Sequence, residues 1–206
     1  MSRTRAAAWS AVAAGIVTML AAAVTACAQQ PAPPTGTPPT VASSAGPAPQ
    51  VSAAPAAVAP TGLNIDRLKL DVKVAPAGVD DKTGDFAVPP SVDVVGWYKW
   101  GPALHATTGS IVIAGHVDSA EQGPGAFFHL RDLEPGDPVT VTGSDGSTRR
   151  FTVTAREVYP KAKIPLERYF ARDGAVRLTL ITCGGPFDAS TRHYRDNVVI
   201  TAQPAA

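Results

Sequence analysis

Charge is scarce at the start of this chain: after Arg5 the next charged residue is Asp66, so sixty consecutive positions carry none. The charge that is present nearly cancels. The formal net charge is +1, and setting aside Arg3 and Arg5 leaves 16 basic against 17 acidic residues from Asp66 onward. That balance offers no electrostatic footprint for a nucleic acid or for an acidic partner. Cysteine is scarcer still. Cys27 and Cys183 are the only two, and the four histidines are scattered, which excludes a disulfide framework and the ligand spacing of a zinc site. There is no tight carboxylate cluster of the calcium type either. The sequence implies no metal and no cofactor.

Arg3 and Arg5 precede an uncharged run, Ala6 to Val24, that includes Val12, Ile16, Val17, Met19 and Leu20. A basic start followed by an apolar stretch is the pattern of an export signal. At about 1.5 Å rise per residue the run can also just span a bilayer's hydrocarbon core, although its alanine content weakens that reading. It ends in Val24-Thr25-Ala26-Cys27, which resembles a bacterial lipobox, the site at which a cysteine receives a lipid. Two alternatives stay open. Residues 1–27 are either a cleaved signal that leaves Cys27 lipidated or an uncleaved membrane anchor. Both tether the chain to a membrane through its N-terminus and place the rest outside the cytoplasm.

Nine of the twenty prolines fall between Pro31 and Pro60. Residues 28–60 have almost no large apolar side chains and cannot bury enough surface to offset their ordering entropy. The expectation is a disordered Pro/Ala-rich spacer, biased toward extended polyproline II, and then one folded domain over residues 61–206.

The folded part reads as mainly β. Leu68, Leu70, Val72 and Val74 alternate with Lys69, Asp71 and Lys73, the period of a half-buried strand. Ser91 to Tyr98 is a second β-rich run, and Ser110 to Ala114 is a continuous apolar run that suits a strand buried on both faces. Val139 to Thr142 and Phe151 to Val158 flank Gly143-Ser144-Asp145-Gly146-Ser147, a hairpin signal. Arg177 to Thr182 and Asn197 to Ala202 supply the last two strands. Helical signals are brief, at Gly125 to Leu130 and at Pro165 to Phe170. Many short strands with Gly, Pro and Asp punctuation fit a closed barrel or a sandwich, and the pattern alone does not choose.

Cys183 is the candidate nucleophile. An unpaired thiol in an exported domain invites an explanation, and this one follows the apolar strand Leu178 to Thr182 and precedes Gly184-Gly185-Pro186. A strand end opening into a loop lets a side chain reach solvent; a buried, inert cysteine fits the spacing equally well. Among its candidate partners, His116 stands out, because Gly115-His116 directly follows the buried run Ile111 to Ala114. His129, beside Phe127 and Phe128, reads as a packing residue, and His105 and His193 read as loop residues. Arg192 and Arg195 lie between Cys183 and the final strand, with Arg195 at its entrance.

Taken together, Ile113-Ala114-Gly115-His116-Val117-Asp118-Ser119, Thr179-Leu180-Ile181-Thr182-Cys183 and Tyr194-Arg195-Asp196-Asn197 resemble the sortases, most closely the class F branch typical of actinobacteria. Asp93 to Tyr98 and Phe127 to Leu130 are weaker matches, and the likeness runs from about Thr61 to Gln203. It implies an eight-stranded β-barrel with short helices, and an extracytoplasmic cysteine transpeptidase acting through Cys183, His116 and Arg195. Family substrates would be surface proteins bearing C-terminal Leu-Pro-x-Thr-Gly-like sorting signals, cleaved between Thr and Gly. The acceptor would be a peptidoglycan precursor or another amine. Asp118 either tunes His116 or serves an exposed turn. The sequence leaves open a hydrolase using the same site, and a catalytically silent wall-binding lipoprotein.

Overall fold

A computed structural model of the chain describes residues 57–206. The export segment 1–27, with Cys27, and the spacer up to residue 56 lie outside the described residues. The strands are β1 (Pro60–Ile65), β2 (Leu70–Ala77), β3 (Val94–Tyr98), β4 (Ser110–Ala114), β5 (Asp118–Ser119), β6 (Gly123–Pro124), β7 (Pro138–Gly143), β8 (Thr148–Pro160), β9 (Arg177–Asp188) and β10 (His193–Pro204). One short helix, α1 (Leu166–Tyr169), and three 3-10 turns complete the elements.

Eight of the strands close a barrel in the order β1-β2-β3-β4-β9-β10-β8-β7, with β7 returning to β1. β5 and β6 form a separate two-stranded ribbon. The barrel, left undecided by the hydrophobic pattern and implied by the family resemblance, is the fold. Two parallel pairings close it, β2 with β3 and β4 with β9. Each needs a crossover connection and not a tight turn, and β4 with β9 joins segments far apart in sequence, which is why periodicity alone does not reveal them.

The alternating inward residues fill the interior. On β9, Leu178 and Leu180 point inward and sit in register with Ile111 and Ile113 of β4 on one side and with Ala202 and Ile200 of β10 on the other. All six belong to one buried core with Phe127, Phe151 and Trp97. β4 is buried on both faces, as its unbroken apolar run predicts. Its polar start is also buried, on the face opposite the barrel interior, where the Ser110 and Thr179 hydroxyls satisfy each other at 2.7 Å.

Several boundaries differ from the sequence reading. The strand expected from Leu68 begins at Leu70, because Asp66–Leu68 is a 3-10 turn and Lys69 adopts the left-handed conformation at φ 52°. Val94 rather than Ser91 opens β3. The segment from Gly125 is a set of turns, with 3-10 geometry only at Leu130–Asp132. β1 is paired on both edges, to β2 and to β7, although its sequence gave no strand signal.

The largest correction concerns Cys183. β9 was expected to end at Thr182 and β10 to begin at Asn197, yet the two continue as a ladder, with Tyr194 opposite Phe187 and His193 opposite Asp188. Cys183 therefore lies within a strand, opposite Asn197, and not in a loop. The extension is supported by the Phe187 and Tyr194 rings, packed edge-on at 5.2 Å, and by the turn in which Asp188 accepts from the Ser190 amide and hydroxyl.

Strand directions fix where the chain ends lie. β4 and β9 are parallel, so the residues just past Ala114 and those past its partner Ile181 share one end of the barrel. Following the ladder round, β1 runs in the same direction as β4 and β9. The chain therefore enters at the opposite end, from Ala57 into Pro60.

Leu180 is wholly buried at the centre of this ladder. Leu180→Ala should lower stability by about 2–5 kcal/mol, from lost transfer energy and the residual cavity. The loss should appear as a lower urea midpoint with an unchanged slope.

Candidate active site

The end of β4 is clamped to β9. The Gly115 amide donates to the Ile181 carbonyl at 3.1 Å, and the Thr182 hydroxyl donates to the Gly115 carbonyl at 2.8 Å. Gly115 has no room for a side chain: an added Cβ would lie 2.8 Å from both Phe127 and Val95. Close backbone approach here extends the parallel β4–β9 contact past Ala114 and Ile181, and the residues that follow, His116 and Cys183, line one hollow.

His116 is held from two sides. Its carbonyl accepts from the Phe127 amide at 3.1 Å, and Gly125 packs so closely on that carbonyl that a Cβ would come within 2.5 Å of the oxygen. Its Nε2 donates to the Pro89 carbonyl at 2.9 Å. A carbonyl can only accept, so Nε2 carries a proton and Nδ1 is the nitrogen free to exchange one. Pro89 is fixed in turn. Gln122 donates to the Pro90 carbonyl at 3.1 Å and accepts from the Val92 amide at 3.2 Å, tying the β5–β6 ribbon to the proline pair.

Cys183 is a free, partly buried thiol. The two glycines after it let β10 approach: a Cβ on Gly184 would sit 2.7 Å from Val198, and one on Gly185, at φ +72°, would overlap the Asp196 carboxylate. Two hollows open onto Cys183. One, of about 240 Å³, is walled mainly by Val117, Phe127, Phe128 and Val198, with Arg131 and Tyr194 among its lining residues. The other, of about 300 Å³, holds His116, Asp118, Ser119, Glu121, Lys161, Arg192 and His193.

The structure thus brings Cys183 and His116 together in one hollow. Arg195 stands apart. It lies at an irregularity of the β9–β10 ladder, between Tyr194 and Asp196. Its guanidinium is 65% exposed, pairs with Asp188 at 3.3 Å, and lines neither hollow. Asp188 is held below the ordinary carboxylate value, first by the Ser190 hydroxyl and amide and only last by Arg195. The other histidines are dispersed. His129, expected to pack beside Phe127 and Phe128, rests edge-on against the Phe128 ring at 5.1 Å, yet it is 63% exposed and bonded to Asp132 at 2.9 Å, because the core takes Phe127 and leaves the following turn at the surface. His105 is in a loop against Ser147 and Asp145, whereas His193 opens β10 and lines the larger hollow.

Sequence reasoning missed Tyr194. Its hydroxyl donates a short hydrogen bond to Asp118, two residues past His116. The phenol is held above its ordinary 10.0, first by that bond and then by burial. The usable signal was its place one residue before Arg195, on the strand pairing with the cysteine's own. Among the described residues no group of His, Cys, Asp and Glu is arranged to hold a metal ion.

The sortase-domain family model matches residues 63–205. The chain belongs to the sortase family. Sortases are cysteine transpeptidases that work outside the cytoplasm in association with the membrane. Among solved structures the chain is similar to Sortase A from Corynebacterium diphtheriae, at 19% identity and TM-score 0.51, over 73% of this chain and 62% of that one. It is also similar to Streptococcus agalactiae Sortase C1, at 14% identity and TM-score 0.52, over 71% and 66% of the two chains. Actinomyces oris sortase C-1 matches at 17% identity and TM-score 0.53, over 71% of each. The chain thus spans less than two thirds of the length of the first two of these structures. No curated protein sequence matches it.

The Asp118–Tyr194 contact gives a titration test. A phenol whose folded value is raised contributes its stabilisation in full below the unfolded value, and loses it as pH rises through the folded one. Asp118→Asn should move the Tyr194 ionisation down toward 10.0, read by ultraviolet difference titration against Tyr194→Phe.

Proposed function

We propose that this sortase is a cell-surface cysteine transpeptidase, of the class F type, that cleaves a Leu-Pro-x-Thr-Gly-like sorting signal between Thr and Gly. The observation that carries this reading is the pair formed by the free thiol of Cys183 and the imidazole of His116 at one barrel end, both lining one hollow. Cys183, as thiolate, attacks the Thr carbonyl and forms a thioester while the C–N bond to Gly breaks. His116 supplies the proton that the departing amine needs and later accepts one from the incoming amine. The hydrogen bond from its Nε2 to Pro89 leaves Nδ1 for that exchange.

Arg195 is assigned the third role, steadying the oxyanion or the substrate backbone. To reach it, the guanidinium leaves Asp188, which its exposure and single 3.3 Å contact allow at small cost. The class F assignment rests on the stretches Ile113 to Ser119, Thr179 to Cys183 and Tyr194 to Asn197. Partners follow from the reaction: surface proteins with C-terminal sorting signals, and a peptidoglycan precursor or other amine. Cys27, or the run before it, tethers the protein to the outer face of the membrane, and residues 61–206 are the catalytic domain.

Incubating the protein with Leu-Pro-x-Thr-Gly peptides should give a mass adduct on Cys183 and release the Gly-bearing fragment. Cys183→Ala should abolish both. His116→Ala should slow cleavage by about 10²–10⁴-fold and Arg195→Ala by about 10²–10³-fold. Cleavage with release only to water, even with amines supplied, would mark a hydrolase. No adduct across a broad peptide set would overturn the assignment.

A further inference from the structure

The two hollows that meet at Cys183 differ in chemistry. One is mainly apolar, with Phe127, Phe128 and Val198 in its wall beside Arg131. The other is the more polar of the two, with His116, Asp118, Glu121, Lys161 and Arg192 set among apolar neighbours. Only Val117, Cys183 and Tyr194 line both, so these residues form the wall between them. Val117 is held on the segment after His116, where its carbonyl accepts from the Gly125 amide at 2.8 Å. Tyr194 reaches that segment from β10. Its hydroxyl donates to Asp118 and its ring rests edge-on against Phe187. The tyrosine therefore bridges the chain segment that bears the imidazole to the strand pair that bears the thiol.

Resting on the transpeptidase reading, we infer that Tyr194, latched by Asp118, is a positioning residue that separates an acyl-donor chamber from an amine chamber. The assignment of chambers follows from the chemistry. Both the departing and the incoming amine exchange a proton with His116, so both occupy the more polar hollow. The acyl segment that remains on the thioester occupies the mainly apolar one, where burial of its side chains holds it in place. In the second step the amine nitrogen bonds to the thioester carbonyl and the C–S bond breaks. The sulfur leaves as thiolate and His116 takes the amine's proton. Water can follow the same course, with its oxygen in place of the nitrogen. The ring of Tyr194 occupies space beside the thioester that water would otherwise fill, and so it sets how the acyl-enzyme divides between amine and water.

The test uses the full chain, a Leu-Pro-x-Thr-Gly peptide and triglycine as the amine, with ligated and hydrolysed products weighed by mass spectrometry. Tyr194→Ala should raise the hydrolysed-to-ligated ratio, per acyl-enzyme formed, by at least about fivefold. Tyr194→Phe and Asp118→Asn, which keep the ring and loosen the latch, should raise it by less. Tyr194→Phe combined with Asp118→Asn should add nothing beyond either alone, because both remove one contact. Circular dichroism identifies any variant that fails to fold, and the Phe variant then carries the test in place of the Ala one. A ratio unchanged in folded variants overturns the partition while leaving the transpeptidase assignment intact. A wild-type acyl-enzyme that yields no ligated product overturns the amine chamber. No acyl-enzyme at all overturns the assignment itself.

Discussion

The parallel pairing of β4 with β9 is the constraint on which the rest of the molecule depends. Five consecutive residue pairs, from Ser110 with Arg177 to Ala114 with Ile181, join segments about 67 positions apart. The pairing closes the barrel, buries Ile111 and Ile113 against Leu178 and Leu180, and carries both strands to the same rim. Two polar contacts pin its ends: the buried Ser110–Thr179 hydroxyl pair at its start, and the Thr182 bond to the Gly115 carbonyl at the rim. Unsatisfied buried hydroxyls would be costly, so each contact penalises a slip in register, and a slip of one residue would turn the Cys183 side chain to the opposite face.

From that pairing the site follows by short steps. Glycine at 115 lets the chain turn beneath Phe127 and Val95, glycine at 125 admits the His116 carbonyl, and the glycines at 184 and 185 let β10 press against the strand carrying the thiol. Side chains then set direction. Pro89 takes one imidazole nitrogen, Gln122 fixes the proline loop, and Asp118 takes the Tyr194 hydroxyl. Around His116 and Cys183 the rim is held by both backbone and side-chain contacts, from Gly115 to Ile181, from Phe127 to His116 and from Thr182 to Gly115. Arg195 is held less firmly: its own guanidinium is exposed and its one partner is the half-buried Asp188 carboxylate on the same hairpin.

Much of this was legible in the sequence, and the failures have physical causes. β4 was legible because a strand buried on both faces leaves an unbroken apolar run. The β7–β8 hairpin was legible because Asp145-Gly146 marks its turn. β1 was not, since Pro60-Thr61-Gly62 continues the composition of the spacer and its pairing with β7 is long-range. The true length of β9 was hidden because Gly184-Gly185-Pro186 reads as a loop, whereas here the glycines make room for a neighbouring strand. At the site, Cys183 and His116 could be named from their places after apolar strands. Tyr194 could not, because its hydrogen-bond partner, Asp118, lies 76 residues away.

The route by which the chain enters the barrel bears on how the protein carries mechanical load. β1 starts at the end remote from Cys183 and is hydrogen-bonded along both edges, to β2 and β7. Tension applied from the N-terminal side pulls β1 along its own length, so the bonds of both ladders resist together in shear instead of opening one by one. That load passes into the wall opposite β9, the strand that carries the thiol. The pairs that bring those two groups together, β4 with β9 and β9 with β10, lie outside the direct line of pull.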